Sequence, residues 1–198
     1  MVAIPQEQYP LRMTEKDYLA FERKSEIKHE FINGEVFAMS GASRAHNLIT
    51  MNTGASLHSQ LRKRDCEVYP ADMRVKISTA HTYTYPDITV VCGKPTFADN
   101  EFDNLLNPTV IIEVLSPSTE AYDRGAKFRN YRKIDSLRDY ILITQTSPRI
   151  ERYQLLESGI WGLSDAEGED AQITIDSIQC TLSLADVYEK VIFEDNEA

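Results

Sequence analysis

The chain has few of the features that would announce a setting or a partner. Its three cysteines, Cys66, Cys92 and Cys180, are an odd number without metal-ligand or redox spacing. That excludes a cysteine-built metal site as the organising feature and fits a reduced, cytoplasmic setting. No run approaches the ~18 apolar residues that would span a bilayer, and the first residues contain no apolar signal-like stretch. A soluble protein with no membrane partner is therefore expected. Repeats and low-complexity linkers are missing too, which excludes solenoids and arrays. With 198 residues, 42% of them hydrophobic, the chain is long enough for one sizeable core and short for two. One domain over 1–198 is expected, with an extended arm at 1–13 and an acidic tail at 194–198.

Positive charge is also short, with 21 Lys and Arg against 31 Asp and Glu and a net charge of −10. Nucleic-acid binders usually display basic patches, so this balance argues against such a partner. The acidity is uneven, however. Glu167, Glu169, Asp170 and the Glu194–Glu197 stretch load the C-terminal third, whereas Arg62, Lys63, Arg64, Lys127, Arg129 and Arg132 lie nearer the middle.

What is present concentrates between Tyr85 and Leu115. Tyr85-Pro86-Asp87 leads into Ile88-Thr89-Val90-Val91, a β-branched run that reads as a strand. Thr109 to Leu115 is continuously apolar, as a strand buried on both faces would be, except for Glu113. An unpaired carboxylate there is costly or stays protonated, so Glu113 needs a cation. Asp87 and Glu113 on neighbouring strands form a plausible site for a hard divalent ion with oxygen ligands. Each acid also has an ordinary explanation: a strand's wet end for Glu113, turn chemistry for Pro86-Asp87.

Ser118 to Asp135 reads as a helix, with Ser118 or Thr119 as N-cap and Glu120 and Asp123 near its first turn. Lys127 and Tyr131 lie four apart and share a face with Ile134. Packed on the sheet, that face lets the Lys127 ammonium reach the two acids. A surface pair between Asp123 and Lys127 is the equally available alternative.

Upstream, Thr14 caps a short helix to about Glu22. Lys28 to Met39 is a hairpin turning at Asn33-Gly34, of type I′. Glu35, just past that turn, is an auxiliary acid or simply an exposed strand end. Ser43 to about Arg64 reads as a helix with Leu48, Met51, Ala55 and Leu61 among its apolar positions. His46 near its start is a candidate contact to a phosphate or a metal-bound water, or simply a structural histidine. Arg74 and Lys76 alternate with apolar neighbours as on a half-exposed strand, and Tyr83 and Tyr85 are packing residues or a stacking platform. Tyr140 to Ile143 is a further buried strand. From Arg149 onward, short runs separated by turns read as an antiparallel meander extending the sheet, and then a last helix from Ser183 to Ile192.

Tyr85-Pro86-Asp87, Glu113-Val114-Leu115-Ser116-Pro117-Ser118, Asp123, Lys127 and Tyr131 together resemble the PD-(D/E)XK nuclease superfamily, and within it the Uma-two family of restriction-endonuclease-like proteins. With Glu30 to Val36 and the helix entered near His46, the resemblance covers most of residues 14 to 144. It implies an α/β fold with a restriction-endonuclease-like core: helix, three strands, helix, strand, in a mixed sheet flanked by helices. The N-terminal hairpin and C-terminal antiparallel extension are additions. Asp87, Glu113 and the Val114 backbone carbonyl are implied as ligands of magnesium, with manganese as a substitute. The superfamily lysine would fall at Leu115, so the resemblance implies that Lys127 has taken over its role. His46 also resembles a position the family favours. Metal-dependent hydrolysis of DNA by Asp87, Glu113 and Lys127 is the expectation, with Glu35, His46 and Tyr131 as auxiliaries. A catalytically silent nuclease-fold scaffold and, further off, a two-carboxylate glycosidase are the competing classes. Edge strands in the meander call for a cover, which a homodimer would supply.

Overall fold

A computed structural model describes residues 12–193; the expected acidic tail, and all but the last two residues of the expected arm, lie outside them. Thr14 caps α1 (Glu15–Glu22) by accepting the Asp17 N–H on its hydroxyl. β1 (His29–Ile32) and β2 (Glu35–Ala38) form the expected hairpin. Asn33 and Gly34 both adopt positive φ, 48° and 97°, as a type I′ turn requires. Ser43 caps α2 (Arg44–Leu61).

Among the described residues, eleven strands divide between two sheets. β3 (Cys66–Pro70), β6 (Ile88–Cys92), β8 (Val110–Val114) and β9 (Asp139–Ile143) join β10 (Arg149–Leu155) and β11 (Trp161–Glu167) in the order β11-β10-β9-β8-β6-β3. Only β8 and β9 run parallel in this sheet, and the helical segment between them is the crossover that parallel pairing demands. The smaller sheet runs β2-β1-β5-β4-β7, with β4 (Arg74–Ile77), β5 (Thr82–Thr84) and β7 (Asn104–Leu105). The architecture is mixed α/β, and the expected core order of helix, three strands, helix and strand is present as α2, β3, β6, β8, the crossover and β9.

Strand alternation sorts the core. Val110, Ile112 and Val114 join Ile49, Leu57 and Leu61 of α2 on one face of the large sheet. Ile111 and Leu115 join Phe128, Tyr131 and Tyr140 on the other. Glu113, between Ile111 and Leu115, therefore belongs to the face that the crossover helix covers.

Several sequence expectations are corrected. The crossover is not one helix over 118–135. It comprises α3 (Glu120–Tyr122), a π-helical turn (Asp123–Lys127) and α4 (Phe128–Tyr131). Ser116 Oγ contacts the Ser118 and Thr119 hydroxyls, which occupies them away from a cap, and three-residue hydrogen bonds close the far end at Lys133 and Ile134. The buried stripe of α2 is Ile49, Thr53, Leu57 and Leu61 at four-residue spacing, while Met51 and Ala55 point outward. Arg74 is buried rather than half-exposed, because it pairs with Asp103.

The meander is shorter than expected as well. β10 and β11 extend the large sheet, but β12 (Gln172–Ile175) pairs only with β13 (Cys180–Ser183) as a separate ribbon. The last helix, α5, covers only Leu184–Val187. Asn52 takes the carbonyls of Val187 and Glu189, and Lys190 turns to φ 64°. Cys66 and Cys92 stand directly opposite on β3 and β6 and form a disulfide, which corrects the reading of the cysteines as reduced; Cys180 is buried and free. No helix among the described residues is long and apolar enough to cross a membrane.

Candidate active site

Both sheets and α2 converge at the end of β8. Ile88 pairs with Ile112 in the antiparallel ladder, so Asp87, one step before β6, falls opposite Glu113. The Val114 N–H donates to Asp87 Oδ2 at 2.7 Å, and His46 Nε2 lies 3.1 Å from Asp87 Oδ1. A strand residue's N–H and carbonyl share an edge, so the Val114 carbonyl faces the same side as the Asp87 carboxylate. His46, in the first turn of α2, also has its Nδ1 3.4 Å from the Thr50 hydroxyl.

Glu113 and Lys127 are both buried, and Lys127 Nζ lies 2.8 Å from Glu113 Oε1. Two further acids surround the ammonium: Glu30 Oε1 at 3.3 Å and Asp123 Oδ1 at 3.5 Å. The Tyr131 hydroxyl donates to Glu113 Oε1 at 2.8 Å and contacts Thr84 of β5 at 3.0 Å. Thus the Asp123–Lys127 pair is not the surface pair that spacing alone permitted. The π-helical turn carries both residues, and the Tyr140 hydroxyl donates to the Asp123 carbonyl at 3.0 Å beneath it.

The electrostatics follow from burying three acids around one base. Burial opposes the Lys127 charge, but Glu113 and Glu30 outweigh it and hold the ammonium well above its usual pKa. Burial pushes Glu113 well up, against the pull of Lys127, with Asp123 and Asp87 adding repulsion. The two directions are compatible because negative charge is in excess: the cluster keeps the lysine proton and favours a further one.

A cleft of about 1430 Å³ opens onto this cluster. Asp87, Glu113, Lys127, His46 and the Val114 segment all line it. Tyr131 sits behind them, fully buried. Glu35 is not brought to the site; it is exposed at the hairpin tip, and Glu30 on the facing strand is the acid that arrives. Glu30 was missed because its partners come from distant elements: the Tyr85 N–H at 3.4 Å and Lys127. Its strand buries both faces, so no alternation singles it out. Tyr122 was missed as well. Its hydroxyl is buried, faces this cleft's residues and hydrogen-bonds to no described protein group. Tyr83 and Tyr85 are packing residues, Tyr83 against Tyr18 and Phe31, and Tyr85 donating to Glu22 at 2.8 Å.

Among the described residues, no three His, Cys, Asp or Glu side chains form a ready metal cage. The set available is two carboxylates and a backbone carbonyl. These are oxygen donors in a region of excess buried negative charge, the chemistry a hard divalent cation prefers.

The family model Uma2, described as "Putative restriction endonuclease", matches residues 15–186. The chain belongs to this family. Two relatives from Synechocystis sp. are similar over most of their length. The uncharacterized protein sll1609 is 38% identical, covering 81% of this chain and 91% of its own; the uncharacterized protein slr1290 is 32% identical, covering 92% and 94%. The crystal structure of a protein from Anabaena variabilis, titled a putative nuclease belonging to DUF820, matches with a TM-score of 0.73. At 18% identity, over 91% of this chain and 99% of that one, it shows the shared fold.

Proposed function

We propose that this Uma2 protein is a single-domain, metal-dependent endonuclease that hydrolyses phosphodiester bonds in DNA. The observation that carries the reading is Lys127, seated on Glu113 from a different element than the superfamily pattern uses, at the base of the cleft that Asp87 also lines. Asp87, Glu113 and the Val114 carbonyl are the donors for magnesium, or manganese in its place. A divalent ion bound there supplies Lewis-acid polarisation of the scissile phosphate.

The remaining roles belong to the chain. Lys127 is held in its charged form, so it serves as a fixed donor to phosphate oxygens rather than as a base. His46 and the Val114 N–H fix the rotation of the Asp87 carboxylate, and Tyr131 fixes that of Glu113. Glu30 and Asp123 orient the ammonium.

Plasmid DNA incubated with magnesium, manganese or chelator tests this, comparing native protein with Asp87→Ala and Glu113→Gln. Metal-dependent nicking lost in both variants is expected. Equal nicking by all three proteins would refute the assignment. A silent binding protein of the same fold is favoured by one observation, the acidity of the cleft. It predicts no magnesium heat in titration calorimetry and no cleavage under any metal. A second copy of the chain is the proposed cover for edge strand β11, where Leu163, and Ile160 just before the strand, are exposed. Light scattering that returns a monomer removes that partner.

A further inference from the structure

The cleft has a second character away from the acids. Glu30 and Phe37 are direct cross-strand partners in the β1–β2 hairpin, so their side chains stand on one face. The hairpin that sends Glu30 to Lys127 therefore presents Phe37 beside it. The outward face of α2 also lines the cleft, with Met51, Ala55 and His58 following one another along it. At 1.5 Å per residue this wall extends roughly 10 Å from Met51 to His58. Phe37, Met51 and Ile27 are 38%, 69% and 45% exposed, and all three line the same cleft. Large apolar side chains gathered in one cleft and left in water mark a binding surface.

The charges exclude the usual way of gripping a duplex. The lysines lining the cleft are Lys28 and Lys127, and arginine is absent from the described lining. Lys28 is paired with Asp72 and bonded to the Ala71 carbonyl, and Lys127 is enclosed by three carboxylates. Glu26, Glu30, Asp87, Glu113 and Asp123 also line it. Among the described residues, no lysine or arginine of the lining stands outside these pairs to track a phosphate backbone, and Lys127 serves only a phosphate at the acid end, so affinity along the rest of the cleft must come from elsewhere. Bases have apolar faces, but in a duplex those faces are stacked on one another.

We infer that the cleft takes unpaired nucleotides, with their bases laid against Phe37, Met51 and Ile27 and the phosphate turned toward the acid end. This rests on the nuclease reading for what happens at that end, but not for the binding itself. Duplex DNA enters only where it is melted or a base is turned out.

Fluorescence anisotropy tests the inference with three labelled probes in calcium buffer: oligothymidylate, an abasic strand of equal length and charge, and a blunt duplex. Oligothymidylate should bind, and the abasic strand and duplex should bind at least about fivefold more weakly, the loss expected when base stacking is removed. The salt slope should be shallow, since each neutralised phosphate would add about −0.7 to it. Phe37→Ala and Met51→Ala should weaken only the oligothymidylate, and Met51→Ala should do so with Tm unchanged because that side chain is 69% exposed. Equal binding of abasic strand or duplex overturns the inference. So does a light-scattering shift that Phe37→Ala abolishes without any oligonucleotide binding, which would assign the wall to a second copy.

Magnesium cleavage is scored in parallel with native protein and Asp87→Ala. Base-dependent binding without Asp87-dependent cleavage supports the inference while sinking the nuclease reading. Asp87-dependent cutting of intact duplex without base-dependent binding does the reverse.

Discussion

Lys127 Nζ sits 2.8 Å from Glu113 Oε1, although the two residues come from a π-helical turn and from the β-strand it covers. Their contact closes the base of a cleft in which Glu30 and Asp123 complete a ring of acids. Removing one partner from a buried ionic cluster costs far more than the cluster contributes, because uncompensated charge is left in low dielectric.

Lys127→Met should therefore lose about 3–5 kcal/mol of stability near neutral pH. The loss should shrink as pH falls and the abandoned carboxylates take up protons. Urea midpoints measured at several pH values check this. A variant as stable as the native protein at neutral pH would mean that the acids are already neutral or solvated.

Tyr122→Phe should behave in the opposite way. Its hydroxyl is buried without a protein partner, so deletion removes an unsatisfied group and should leave Tm unchanged or slightly raised. If that hydroxyl serves the phosphate, cleavage should fall roughly tenfold, the worth of a hydrogen bond to a charged group. Calorimetry and single-turnover cleavage check the two halves. Tyr131→Phe is the contrast: it breaks bonds to Glu113 and Thr84 and should lower Tm.

Acid should release the α1–β5 contact through Glu15. Partial burial raises the pKa of its carboxyl, but hydrogen bonds from Lys76, His81 and Tyr83 outweigh this and hold it at about 2 rather than 4.5. A depressed carboxylate contributes stability above its unfolded pKa and loses it as pH falls through the folded one. The contribution should be whole above about pH 4.5 and gone near pH 2. Solvent screening at this partly exposed site keeps it to about 1 kcal/mol or less. Glu15→Gln should flatten that part of the acid limb in urea titrations.

Gly34→Ala should cost about 1 kcal/mol, because φ 97° at the hairpin turn is closed to a residue with a Cβ. The penalty should appear in the urea midpoint. Asn33→Gly, which keeps the turn accessible, should not show it.

Most strands of the large sheet, the hairpin turn and the cap of α1 were legible because each is written in neighbouring residues: β-branched runs, Asn33-Gly34 and Thr14. The candidate acids Asp87 and Glu113 were legible for a related reason, since charge in an apolar strand contradicts its surroundings. Glu35 and Glu30 show where that local logic ends. Both flank the same turn, and only the pairing of β1 with β5 decides that Glu30 turns inward. The outward phase of Met51 and the facing of Cys66 and Cys92 were hidden in the same way, because α2 carries apolar residues in more than one phase and strand register depends on the partner.

By itself the chain determined its periodicities, its turns and the anomaly of a glutamate inside a buried strand. The tertiary structure alone decided that Lys127, Glu30 and Asp123 meet that glutamate, and that Phe37 and Met51 remain uncovered beside them. Short-range preferences act along a few consecutive residues, whereas a cleft is made by side chains whose separation in space the sequence order does not encode.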